Sequence, residues 1–245
     1  MSTMRNRSLS FSRKPDDKHR AHSSDKYASR RIGRIVSVLQ AIHGSPDHGN
    51  KADALDELIY IVLSQMTTIK SCGRVFDRLK RVAGEWASLS RMPIQELKSV
   101  INDAGLSHQK SRHIKAIIRR IAADFGTTDL SPLCCMSDVD ALKYLTSLPG
   151  VGVKTAKCVL LFSLRRSVLP VDTHVARVGR RLGLINADVP KCRFHDALED
   201  AITPRNRYSF HVNAIAHGQR VCLARNPRCH ACPLRRQCPS FLDPR

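Results

Sequence analysis

The chain has 245 residues, 42% of them hydrophobic, and carries 41 Lys/Arg against 21 Asp/Glu for a formal net charge of +20. No apolar run approaches the roughly 18 residues of a membrane span, and the N-terminus has no hydrophobic signal core, so a soluble globular body is expected. Residues 1–31 hold nine Lys/Arg and three Asp, which leaves +14 on the remainder; a field of that size favours polyanions, nucleic acid first.

Taken in chain order, residues 1–29 are rich in Ser, Arg and Lys and poor in apolar residues, which predicts a disordered basic tail. Its Arg/Ser content also fits an organellar transit peptide, against which stand Asp16 and Asp17. From Arg31 the pattern turns helical: Ile32, Ile35, Val36, Val38 and Leu39 share one face. Residues 52–65 read as a largely buried helix. Residues 71–82 and 107–126 read as amphipathic helices, the second stopping at a glycine. A helix over 137–148 opens on a serine N-cap with acidic residues in its first turn. Further helices follow from Lys154, Asp172, Lys191 and about Arg205, and Pro170 breaks the pattern between two of them. Alternating strands are missing from the pattern, so the fold class is all-α.

Three motifs carry chemistry. The first, LPGVGVKTA, joins two predicted helices. Gly150 and Gly152 allow positive φ and close approach, and the amides of the new helix start favour phosphate, which makes the turn a sequence-independent grip on a nucleic-acid backbone. Lys154 stands at the positive end of that helix, where its charged form is disfavoured; it is either a nucleophilic amine or a phosphate contact, a task Lys157 could share. The second, PVDTHV, places Asp172 at a helix start, as an N-cap, a proton-handling partner for Lys154, or both. The third is Cys222, Cys229, Cys232 and Cys238, spaced Cys-x6-Cys-x2-Cys-x5-Cys. Four thiolates in one loop suit zinc or a [4Fe–4S] cluster, and spacing alone does not separate the two. Arg225 and Arg228 lie between the first two cysteines, and Arg235 and Arg236 follow, so a metal-pinned loop would present guanidiniums to phosphates.

In this order the three motifs resemble the helix-hairpin-helix DNA glycosylases, and within them the endonuclease III group, over roughly residues 31–240. Lys154 and Asp172 are eighteen positions apart, as are the family's catalytic lysine and aspartate. The resemblance implies two helical domains flanking a DNA-binding cleft: a six-helix barrel with the hairpin, about 52–166, and a cluster domain, about 30–51 plus 167–245. It identifies the four cysteines as ligands of a [4Fe–4S] cluster, expected to be structural. It places the family's wedge positions on Gln65 and Leu106, which fill the gap left by a flipped nucleotide. Lys154 and Asp172 are then expected to remove a damaged base and cleave the abasic site by β-elimination, on double-stranded DNA.

The chain departs from the family at Val153, where arginine is common, at Thr68, near which aspartate is frequent, and around Gln219. Oxidised pyrimidines such as thymine glycol are the expected substrates. Mismatched thymine, uracil or adenine and alkylated purines are alternatives, as is a non-catalytic DNA-binding role. Lys154 speaks for the first. A monomer is expected, cytoplasmic or nucleoid-associated in a bacterium.

Overall fold

The computed structural model describes residues 16–243, and among them every regular element is a helix. They are α1 (Asp16–His43), α2 (Ala54–Ser64), α3 (Ile69–Ala83), α4 (Ile94–Val100), α5 (Ser107–Phe125) and α6 (Asp138–Ser147). They continue with α7 (Val153–Phe162), α8 (Thr173–Arg181), α9 (Phe194–Ala201), α10 (Arg207–Arg220) and α11 (Pro239–Leu242).

The helix starts follow from local chemistry. Asp53, Ser137 and Asp172 each accept a hydrogen bond from the backbone three residues on, at 2.8, 3.1 and 2.8 Å, which satisfies amides that a helix start otherwise leaves unpaired. Gly126 ends α5 in the left-handed region, at φ +73, with its amide returning to Ala122 O. Two expectations need correction. Residues 1–15 of the predicted tail lie outside the described residues, but from Asp16 the chain is already helical, because extension from a packed helix costs far less than nucleation. The helix α4 has no counterpart in the periodicity reading; at seven residues it is too short to show a repeat.

Two hydrophobic cores result. The first gathers α2 to α7, with Leu58, Leu63, Leu79, Leu97, Ile117, Leu145 and Leu160 all fully buried. Each such side chain is worth roughly 1.5–3 kcal/mol of burial. The second gathers Ile35 and Leu39 of α1 with Leu169, Val175, Leu198, Phe210 and Leu234. The chain passes from one to the other between Val168 and Leu169. An ion pair joins them: the buried Lys157 Nζ of α7 meets the half-buried Glu199 Oε1 of α9 at 2.8 Å, and Glu199 also accepts from Leu169 N at 2.6 Å. This removes Lys157 from the phosphate-contact role considered for it.

Candidate active site between the two cores

Residues 148–152 turn tightly between α6 and α7, with Val151 N donating to Leu148 O at 3.1 Å. Gly150 has φ +75, and a Cβ there would stand 2.2 Å from His113 Nδ1, so the position needs glycine twice over. Gly152 differs from expectation: its φ of −94 suits any residue and the space around it is open. It contributes instead as the exposed N-cap of α7, leaving the first amides of that helix open to an anion.

Lys154 lies one residue into α7 and lines a cleft of about 1200 Å³ between the two cores. Asp172, at the start of α8, lines the same cleft, so the two predicted partners are brought together from opposite sides. One carboxylate oxygen of Asp172 caps α8 through Val175 N, leaving the other for chemistry. The cap and the reactive carboxylate are therefore one group.

The charge state of Lys154 corrects the sequence reading. Burial works against its ammonium, but Cys158, Asp172 and Glu57 together outweigh burial and hold its pKa above the ordinary lysine value. The Cys158 thiol, one turn along α7, is itself pushed up to about 11 by burial, so it ionises only in the alkaline range in which this lysine titrates. The resting lysine is an ammonium, and a nucleophilic amine must be generated by moving a proton.

Two further groups surround this pair. Glu57 is fully buried, held by Asn50 Nδ2 at 2.5 Å and Lys51 N at 2.6 Å; burial raises its pKa against those bonds and the pull of Lys154. His211 is buried, and its Nδ1 pairs with Pro170 O at 2.9 Å, which makes Nδ1 the protonated nitrogen and leaves Nε2 as an acceptor. Burial pushes its pKa down to about 4. Glu57 and Asp56 read in the sequence as the acidic first turn of a helix, and neither Glu57 nor His211 carried a local mark of its place in the site.

The remaining predicted residues distribute around the cleft. Gln65 ends α2 half-buried, with Nε2 donating to Gly150 O at 3.4 Å. Leu106 is exposed at the start of α5. Thr68 caps α3, Val153 is exposed beside the hairpin, and Gln219 lines the cleft. Arg225 and Arg228 are exposed on the loop after Cys222.

Cys222, Cys229, Cys232 and Cys238 line one cavity together with His217, Arg181 and Arg235. Among the described residues no three or more His, Cys, Asp or Glu converge to hold a single metal ion. The four thiols instead surround a shared space. Burial raises the pKa values of Cys232 and Cys238, and the neighbouring cysteines raise them further. Arg181 Nη1 donates to Cys222 Sγ at 3.3 Å. Four cysteines lining one cavity can supply the thiolate ligands of a tetrahedral zinc or of a [4Fe–4S] cluster.

The chain matches the family described as "HhH-GPD superfamily base excision DNA repair protein" over residues 59–204. Endonuclease III of Sulfolobus acidocaldarius is 30% identical over 200 residues, covering 80% of this chain and 86% of that protein. DNA glycosylase/AP lyase ROS1 of Arabidopsis thaliana is 28% identical over 176 residues, 65% of this chain but only 13% of that much longer protein. Among solved structures, a trapped endonuclease III–DNA covalent intermediate superposes with a TM-score of 0.76 at 25% identity, covering 87% of this chain and 97% of that one.

Proposed function

The chain belongs to the HhH-GPD superfamily and is an endonuclease III-like DNA glycosylase of base excision repair, and from that premise we propose that it is bifunctional, removing an oxidised pyrimidine such as thymine glycol and then cleaving the abasic site. The observation that carries this reading is that Lys154 and Asp172 line one cleft, with the hairpin's Gly152 capping the same helix start as Lys154.

The damaged nucleotide leaves the base stack and enters the cleft. The uncapped oxygen of Asp172 takes a proton from the Lys154 ammonium. The free amine attacks C1′ as the C1′–N bond breaks, and the proton passes to the departing base. Loss of a second proton and opening of the sugar ring give a Schiff base between Lys154 and C1′. Removal of a C2′ proton then breaks the C3′–O bond, nicking the strand 3′ to the lesion. His211, uncharged at neutral pH, adds no positive charge beside this lysine.

Cys222, Cys229, Cys232 and Cys238 would hold a [4Fe–4S] cluster. When bound it supplies a covalent crosslink among loops that bury little apolar surface, and it carries no step of the reaction. Arg225 and Arg228, exposed on the loop so pinned, would meet phosphates.

The test is borohydride trapping on duplexes bearing thymine glycol, uracil, a mismatch or an abasic site, with wild type and Lys154→Ala. A covalent complex on thymine glycol that the variant loses is expected. Trapping on the abasic duplex alone removes the glycosylase assignment for these bases. Trapping on none removes the lyase.

A further inference from the structure

Lys110, in the first turn of α5, is 1% exposed. Its ammonium donates to Leu63 O at 2.7 Å, Gln65 O at 2.5 Å and Ala104 O at 2.6 Å, and lies 2.9 Å from Thr67 Oγ1. The Thr67 hydroxyl also bonds Ala104 O. Its titratable neighbour is the thiol of Cys72, whose own pKa is pushed up to about 11, so backbone oxygens rather than a carboxylate solvate this cation. Burial lowers the Lys110 pKa to about 8, which leaves it charged at neutral pH. An apolar residue would fill the same space without that desolvation cost.

The bonded oxygens come from two separate loops. Leu63, Gln65 and Thr67 belong to the end of α2 and the turn after it; Ala104 belongs to the turn before α5. Each loop then projects one apolar side chain. Met66 is 87% exposed at φ +55, and Leu106 is 55% exposed at φ +50. The left-handed region is unfavourable for such residues and persists only where the surroundings enforce it. The loops touch as well: a Cβ on Gly105 would stand 3.5 Å from Met66 O. Gln65 points elsewhere, to the hairpin carbonyl of Gly150.

We propose that Lys110 is a positioning residue that locks these two loops together, so that Met66 and Leu106 stand as a paired apolar wedge entering the duplex where the nucleotide leaves. The partner is duplex DNA, matched by the net charge of +20 and by the adjoining cleft, which Met66 lines. The wedge position assigned to Gln65 by family resemblance passes to Met66. This inference rests on the base-extruding reading given above.

Wild type, Lys110→Met, Met66→Ala and Gln65→Ala are compared in borohydride trapping on an abasic site, once in duplex and once in a single strand that has no gap to fill. A 2-aminopurine opposite the duplex site reports unstacking. Lys110→Met and Met66→Ala are expected to lose at least tenfold on the duplex and less than twofold on the single strand, and to lose the fluorescence rise. Gln65→Ala is expected to lose less on the duplex than Met66→Ala, and a larger loss in Gln65→Ala returns the wedge to Gln65. A Met66→Ala protein within twofold of wild type on the duplex overturns the wedge. Equal losses of Lys110→Met on both substrates overturn the positioning role. Should Lys110→Met fail to fold by circular dichroism, Thr67→Val decides, since it removes one partner of the ammonium: duplex-selective loss supports the clamp and no loss overturns it. If wild type traps on neither substrate, the lyase reading has failed, and the fluorescence rise alone judges the wedge, its survival in Met66→Ala overturning it.

Discussion

The α2–α7 region and the region after Leu169 face each other across the cleft, yet different forces hold them. The first is a continuous apolar interior in which α2 is buried over nearly its whole length. Beyond Val221 the second region buries one large apolar side chain, Leu234. Its loops are tied instead by arginines reaching backbone carbonyls. Arg31 Nη2 meets Leu182 O at 2.5 Å and Gln237 O at 3.1 Å, Arg177 Nε meets Cys222 O at 2.9 Å, and Arg181 Nη1 meets Leu223 O at 2.6 Å. On the cluster reading proposed above, such a region draws its stability from a crosslink more than from buried apolar area.

The largest expected effect breaks the comparison outright. Replacing Cys229 by serine, or removing iron with a chelator, is expected to leave residues beyond about 221 open to limited proteolysis while the α2–α7 region survives as a resistant fragment identified by mass. Equal loss of both regions would show that they are not separately supported. Next, Glu199→Ala strands the Lys157 ammonium at the junction, with an expected cost of about 3–5 kcal/mol in urea unfolding. Leu58→Ala probes the apolar core alone and is expected to cost about 3 kcal/mol.

A pH prediction sharpens the junction further. The folded pKa of His211 is depressed to about 4 from an ordinary 6.5, so between those values the unfolded chain binds a proton that the folded one refuses. Stability therefore falls as pH drops through that window, by about 2 kcal/mol at pH 5 from this group. His211→Gln should reduce the dependence in urea titrations at pH 7 and 5 by about that amount and leave the share of His217, which burial also pushes down to about 4. The smallest effect is a helix cap in the α2–α7 region: Ser137→Ala removes the bond to Asp140 N and should cost about 1 kcal/mol in the same assay.

Much of this was legible because punctuation is local. Ser137, Asp172 and Gly126 announce helix ends through bonds to residues three or four positions away, and the same rules place Lys154 at a helix start. Partners distant along the chain were not legible. Lys157 looked like a surface cation until Glu199, forty-two residues later, was found against it. Lys110 looked like the polar edge of an amphipathic helix, and its carbonyl partners lie up to forty-seven residues away. The charge of Lys154 was misjudged for a different reason: only the helix-end field and burial were weighed, whereas Cys158, four residues on along the same helix, raises its pKa together with Asp172 and Glu57.

The Lys157–Glu199 pair has a mechanical meaning. It sits three residues beyond Lys154 on the same helix and fastens that helix to the wall across the cleft. Opening the two walls would part the buried Lys157 ammonium from its carboxylate partner. On the base-excision reading proposed above, a cleft braced in this way leaves the bending to the DNA, so a weakly stacked, easily kinked step would enter more readily than intact, stiff DNA.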